Sequence, residues 1–192
     1  MPNWLTLKRL LHHANGLHDA ELFQAQFHTI EEQRQLLDDP DPVTPLVSNI
    51  AQLLRKELNQ VKAQLEQEWS NGDSALDNDP NWAKLEPEQK YELRSKQHLI
   101  EAAKPEILVQ DTQAILQSID KFNLTSLRDR IAALPSRFAK IRQEAAKLCE
   151  PEAQFIEVPS RTLKDDTDIK AWLAEVTELL SQAIKHGPVV VK

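Results

Sequence analysis

Apolar residues recur at helical spacing along most of this chain. Val47, Ala51, Leu54, Leu58, Val61 and Leu65 follow one another at intervals of 4, 3, 4, 3 and 4, which makes a heptad stripe. Leu46, Ile50 and Leu53 widen that stripe beyond a two-stranded seam and predict packing in a bundle. Thr44-Pro45, a capping hydroxyl followed by proline at the first helical position, marks the expected start of this helix, and Ser70 its expected end. The cleanest period lies further on, at Leu127, Ile131, Leu134, Phe138, Ile141, Ala145 and Leu148. Pro135 falls inside that run and removes a backbone donor, so a kink or break is expected there with helix on both sides. Pro151 closes the region.

Shorter patterns fill the rest. A first helix over about Asn3–Asn15 carries Leu5, Leu7, Leu10 and Leu11 and stops near Gly16. A second, about Asp19–Leu37, turns Leu22, Phe23, Phe27, Ile30 and Leu37 inward and ends at Asp38-Asp39-Pro40-Asp41-Pro42. The polar stretch Asn71–Asn81 reads as the longest loop. Trp82 and Leu85 form a short helical turn, and Pro87 opens a helix to about Ala103. Ile107, Leu108 and Val109 read as a brief strand, with a helix start as the alternative. A helix over about Asp111–Phe122 follows, carrying Ile115, Ile119 and Phe122. Residues 154–158 alternate like a strand. A helix over about Thr167–His186 carries Ile169, Trp172, Leu173, Val176, Leu180 and Ile184, Gly187-Pro188 ends it, and Val189-Val190-Val191 reads as a last strand.

These elements predict a mainly α (α+β) fold: long amphipathic helices around 44–70 and 126–149, with a small C-terminal sheet of two or three short strands. Strand, helix and strand in that order predict a right-handed parallel crossover. The organisation reads as a helical region over 1–104 and a region of helices with the sheet over 105–192, or as one continuous domain.

Composition narrows the chemistry. The 192 residues include three glycines, Gly16, Gly72 and Gly187, too far apart for a phosphate loop or a dinucleotide fingerprint, so no cofactor is expected in this chain. The lone Cys149 excludes an internal disulfide framework and a multi-cysteine zinc site, and it fits a reducing compartment, the cytoplasm. Cys149 also has no neighbouring histidine to act as its base and reads as a packing residue. No apolar run approaches the ~18 residues of a membrane span. Lys8 and Arg9 lie inside an amphipathic pattern, which argues against a secretory signal.

Two weak metal patterns carry simpler readings. Asp77, Asp79, Asn81 and Glu88 stand at positions 1, 3, 5 and 12 of a calcium loop, but Trp82 occupies position 6, where the sharp turn needs glycine; an acidic loop is the simpler reading. His12, His13, His18 and His28 lack a metal-binding spacing and read as surface or partly buried side chains. The Asp38-Asp39-Asp41 cluster is a connector by its prolines. No Ser/His/Asp arrangement is readable, so neither a catalytic residue nor a metal site is expected, and the fragment is read as a non-enzyme.

Charge adds one feature. The chain carries a formal charge of -7, yet residues 126–148 hold Arg128, Arg130, Arg137, Lys140, Arg142 and Lys147 against only Asp129 and Glu144. Those six are the candidate contacts for a partner. Arginines beside an apolar stripe disfavour a parallel self-dimer and favour a helix with acidic flanks, in this chain or another. Nucleic-acid phosphates are the alternative counter-charge, although no aromatic residues interleave the segment.

One further pattern is an ordered series of short stretches. It comprises Leu36-Leu37-Asp38-Asp39-Pro40-Asp41-Pro42-Val43 with Pro45-Leu46, then Ala132-Ala133-Leu134-Pro135-Ser136-Arg137-Phe138, and then Glu144-Ala145-Ala146-Lys147-Leu148. Val158-Pro159-Ser160-Arg161-Thr162-Leu163-Lys164, Trp172-Leu173 and Gly187-Pro188-Val189-Val190 complete it. In that order the series resembles the C-terminal end of the large P-loop ATPases of BREX phage-defence systems, the BrxC and PglY family. None of the stretches is a catalytic motif. The resemblance implies a bacterial cytoplasmic protein, an ATP-using module upstream of this segment, and an excised C-terminal domain that docks other BREX components or supports homo-oligomers of the ATPase.

Overall fold

The longest helix forms where the apolar stripe is longest. In the computed structural model, which describes residues 2–149 and 154–191, α1 (Pro2–Ala14) and α2 (Ala20–Glu32) precede a long α3 (Val43–Asp77). Next come α4 (Pro80–Lys84), α5 (Pro87–Lys96), α6 (Thr112–Lys121), α7 (Leu124–Ala132) and α8 (Leu134–Cys149). Strand β1 (Gln154–Ile156), helix α9 (Asp166–Ile184) and strand β2 (Val189–Val191) end the chain. The fold is mainly α, as the periodicity predicts. The inward side chain of Leu37 and the stop at Pro151, both expected from the sequence, lie outside the described residues.

Two units divide the chain, and each is built from two stretches of sequence. The first comprises Met1–Asp73 and Glu101–Pro135, the second Ser74–Ile100 and Ser136–Lys192. Each unit thus draws on sequence from both sides of residue 104.

The first unit buries α1, α2, α6, α7 and most of α3. Leu7, Leu10, Ile50, Leu54, Leu58 and Ile115 have no exposed surface. Trp4 of α1 stacks on Phe27 of α2, with ring centroids 4.6 Å apart. Gly16, at φ +85°, takes the left-handed conformation that ends α1 where the sequence places its stop. Helix α2 stops earlier than expected, at Glu32, because Arg34 adopts φ 56° and a single 3-10 turn follows at Gln35–Leu37. Leu22, expected inside, is 64% exposed.

Helix α3 starts and ends differently from its sequence signals. Asp41, not Thr44, organises the start: its carboxylate accepts from the Val43 N–H at 2.8 Å and from the Thr44 hydroxyl at 2.5 Å. These bonds hold the Asp41 carboxyl below its ordinary pKa. At the other end the predicted loop over Asn71–Asn81 is helical through Asp77. The stripe explains this, since Trp69, Gly72 and Leu76 continue it at buried positions and outweigh the turn propensities of Asn71, Gly72 and Asp73.

Ile107–Val109 forms neither the expected strand nor a helix. Ser118 of α6 is 5% exposed. Its hydroxyl donates to the Leu108 carbonyl at 3.0 Å and accepts from the Leu108 N–H at 2.7 Å. A buried side chain thus satisfies the two backbone groups that a neighbouring strand would otherwise have served. The break at Pro135 is present as expected: α7 ends at Ala132 and α8 starts at Leu134, with the proline in its first turn, where a missing N–H is harmless.

In the second unit, Pro80 and Pro87 open α4 and α5. Helix α5 ends at Lys96, short of the expected Ala103, because His98 takes φ 54° and a 3-10 turn follows at Glu101–Ala103. Strands β1 and β2 pair in parallel, with Phe155 opposite Val190, and α9 connects them. Asp165 caps α9 by accepting from the Thr167 and Asp168 N–H groups. The Trp172 indole N–H donates to the Pro159 carbonyl at 2.7 Å.

Candidate interaction groove

Helix α8 carries its apolar stripe on one face: Leu134, Phe138, Ile141 and Ala145 are buried. Leu148, expected to continue that stripe, is 52% exposed. The neighbouring face presents Ser136, Ala139, Lys140 and Gln143, which line a groove of about 640 Å³ together with Val190 and Val191 of β2. Asp79, Asn81, Arg142 and Ala146 complete the lining.

Asp79 is the buried carboxylate of this groove. It is 8% exposed and caps α4, with Oδ1 accepting from the Asn81 N–H at 2.9 Å and from the Trp82 N–H at 3.1 Å. Its other oxygen accepts from Arg142 Nε at 2.9 Å. Burial pushes the Asp79 carboxyl up, but the Arg142 guanidinium and the two backbone N–H groups outweigh it and hold the pKa below the ordinary value. The residue that resembled a calcium ligand in the sequence is therefore a helix cap and an ion-pair partner. Nearby, the Cys149 thiol donates to the Asn81 carbonyl at 3.3 Å, at the end of α8.

The six candidate cations divide between the units. Arg128 and Arg130 belong to the first, where Arg128 pairs with Glu57 at 2.7 Å and the Arg130 guanidinium lies 4.2 Å from the Phe122 ring centroid. Arg137, Lys140, Arg142 and Lys147 belong to the second. Arg142 is committed to Asp79. Lys147 stands in the last turn of α8. Lys140 is exposed and Arg137 half-buried, and neither forms an ion pair or hydrogen bond among the described residues.

The sequence offers Lys140 and Arg142 of the groove as candidates, but not Asp79, Val190 or Val191. Val190 and Val191 read only as strand formers, and Asp79 as part of an acidic loop. The Asp79-Pro80 pair was the available signal, since a carboxylate before proline at a helix start is a capping pattern.

A second concavity, of about 490 Å³, lies in the first unit. His12 and His13 line it with Asp120 and the start of α7. The Asp120 carboxylate bonds His13 Nε2 at 2.8 Å and also pairs with Arg9. Burial pushes the Asp120 carboxyl up, and its bonds to His13 and Arg9 hold it below the ordinary value. These contacts tie α1 to α6. Among the described residues no group of three His, Cys, Asp or Glu side chains is placed to hold a metal. Among them, too, no helix is long and apolar enough to cross a membrane.

Comparison with known protein families, with curated proteins and with solved structures finds no match.

Proposed function

We propose that this chain is a non-catalytic interaction domain whose partners are other components of a BREX phage-defence system in the bacterial cytoplasm. One observation supports the interaction reading most directly. Ile169, Leu173, Ile184 and Val191 of the C-terminal strand, helix and strand keep 40%, 50%, 64% and 51% of their surface exposed. Apolar surface left open in one segment is what a docking partner covers. The identity of the partner rests on the ordered motifs between Leu36 and Val190, and ATP chemistry belongs on that reading to a module outside these residues.

The test is binding of the purified chain to each BREX component by co-elution in size-exclusion chromatography. Stable co-elution with at least one supports the proposal, and co-elution with none sinks it.

A second reading is nucleic-acid binding. It draws on Arg137 and Lys140, which lack acidic partners among the described residues. Arg128 and Arg142 already meet carboxylates, so the test narrows to the double charge reversal Arg137→Glu with Lys140→Glu. Salt-dependent DNA binding that this pair of changes removes favours the reading; no binding at low salt eliminates it.

A further inference from the structure

Strand β2 is paired on one side, with β1, and among the described residues no third strand joins the two. A strand directs its backbone N–H and C=O groups to both sides, so a two-stranded sheet leaves each strand one unpaired edge. Val190 and Val191 of β2 also line the groove whose opposite wall is α8. Three of the six α8 residues on that wall, Ser136, Ala139 and Ala146, have small side chains, and Lys140, Arg142 and Gln143 are the long polar ones. Its volume of about 640 Å³ lies within the range of sites that hold a bound ligand.

The charge of the groove selects the occupant. Asp79 is neutralised by Arg142, whereas Lys140 stands exposed without a counter-ion among the described residues, and Arg137 precedes it by three residues on the same helix. With Arg142 and Lys147 against Glu144 and Asp79 included, the formal charges of α8 and its ion-pair partner still sum to a positive value. An acidic segment meets this charge favourably, and a basic one is repelled.

We propose that this groove binds an extended acidic peptide, which adds to the free edge of β2 as a further strand alongside α8. Backbone hydrogen bonds to β2 supply affinity, Val190 and Val191, whose side chains point to opposite faces of the strand, each meet apolar side chains of the peptide, and Lys140 meets carboxylates. The proposal rests on the interaction reading above and names the chemistry of the partner segment.

A library of random short peptides displayed on phage, selected against the full chain, tests it. The expected winners are acidic sequences rich in β-branched residues. Synthesised and fluorescently labelled, such a peptide binds in an anisotropy titration. Binding falls by about tenfold with Lys140→Glu. It is lost when alternate peptide nitrogens are methylated, because they can no longer donate to a strand edge. Ala139→Trp, at an exposed position, fills the groove and abolishes binding while the circular dichroism of the helices is unchanged.

Four outcomes of the peptide experiment overturn the proposal: no enrichment, enrichment of basic or helical sequences, equal binding of the methylated peptide, or equal binding by a folded Ala139→Trp variant. The two readings fail separately. A BREX complex that Ala139→Trp leaves intact removes the groove proposal and preserves the interaction domain. Acidic peptides that bind a chain with no BREX partner preserve the groove and remove the partner assignment.

Discussion

Helices α3 and α9 carry apolar stripes of similar clarity and meet different fates. On α3, Leu54 and Leu58 have no exposed surface. On α9, Leu173 and Ile184 keep 50% and 64% of theirs, and from residue 156 to residue 191 Ala183 is the one buried position. The difference is not in the helices, since both are amphipathic and α9 is well capped by Asp165. It lies in what each helix packs against: α3 buries its stripe among the helices of its unit, while α9, placed between two three-residue strands, buries Ala183 alone of its residues. An amphipathic pattern names the face that can be buried. Whether it is buried depends on the amount of complementary surface within reach.

Several substitutions break or sharpen that contrast. The largest effect is expected from Leu54→Ala, which removes fully buried methyl groups and costs about 2–5 kcal/mol in denaturant unfolding. The comparison breaks if this change costs no more than Leu173→Ala. Asp79→Ala comes next, at about 1–2 kcal/mol, because it removes a cap from the second unit and leaves Arg142 unpaired.

The same carboxylate gives a pH signature. Its folded pKa lies below the unfolded value, so its contribution is complete above the ordinary carboxylate range and is lost as pH falls through the lowered folded value. Asp79→Asn should therefore flatten the acid limb of a stability-versus-pH curve, and an unchanged limb would remove Asp79 from the account. Ser118→Ala should cost about 1 kcal/mol by leaving the Leu108 N–H and carbonyl without their partner, readable as faster amide exchange at Leu108. Smallest of all, Leu173→Ala and Ile184→Ser should each change stability by about 0.5 kcal/mol or less while weakening any partner complex that covers them.

The sequence made the helical bundle legible because burial there follows a simple period. Leu7, Ile50, Leu58 and Ile131 are all buried where their spacing puts them. It misplaced the end of α3 because Asn71, Gly72 and Asp73 carry strong turn propensity, while the stripe that overrides them continues through widely spaced Trp69 and Leu76. It misread Ile107–Val109 because the partner of Leu108 is a side chain ten residues away, a contact without periodic signature. At the groove, Lys140 was legible as charge. The role of Asp79 was not, since pairing with Arg142 joins positions 63 residues apart. Nor could a run of charges in sequence reveal that Arg128 and Arg130 belong to one unit and Lys140 and Arg142 to the other.

The bond from Trp172 to Pro159 also gives the C-terminal segment an optical handle of its own. Trp4, Trp69 and Trp82 all precede it in the chain, and it is the one indole beyond residue 82. With those three replaced by phenylalanine, emission would come from Trp172 alone. Its colour and lifetime would then follow the latch between α9 and Pro159 in real time, separately from the unfolding of everything before it.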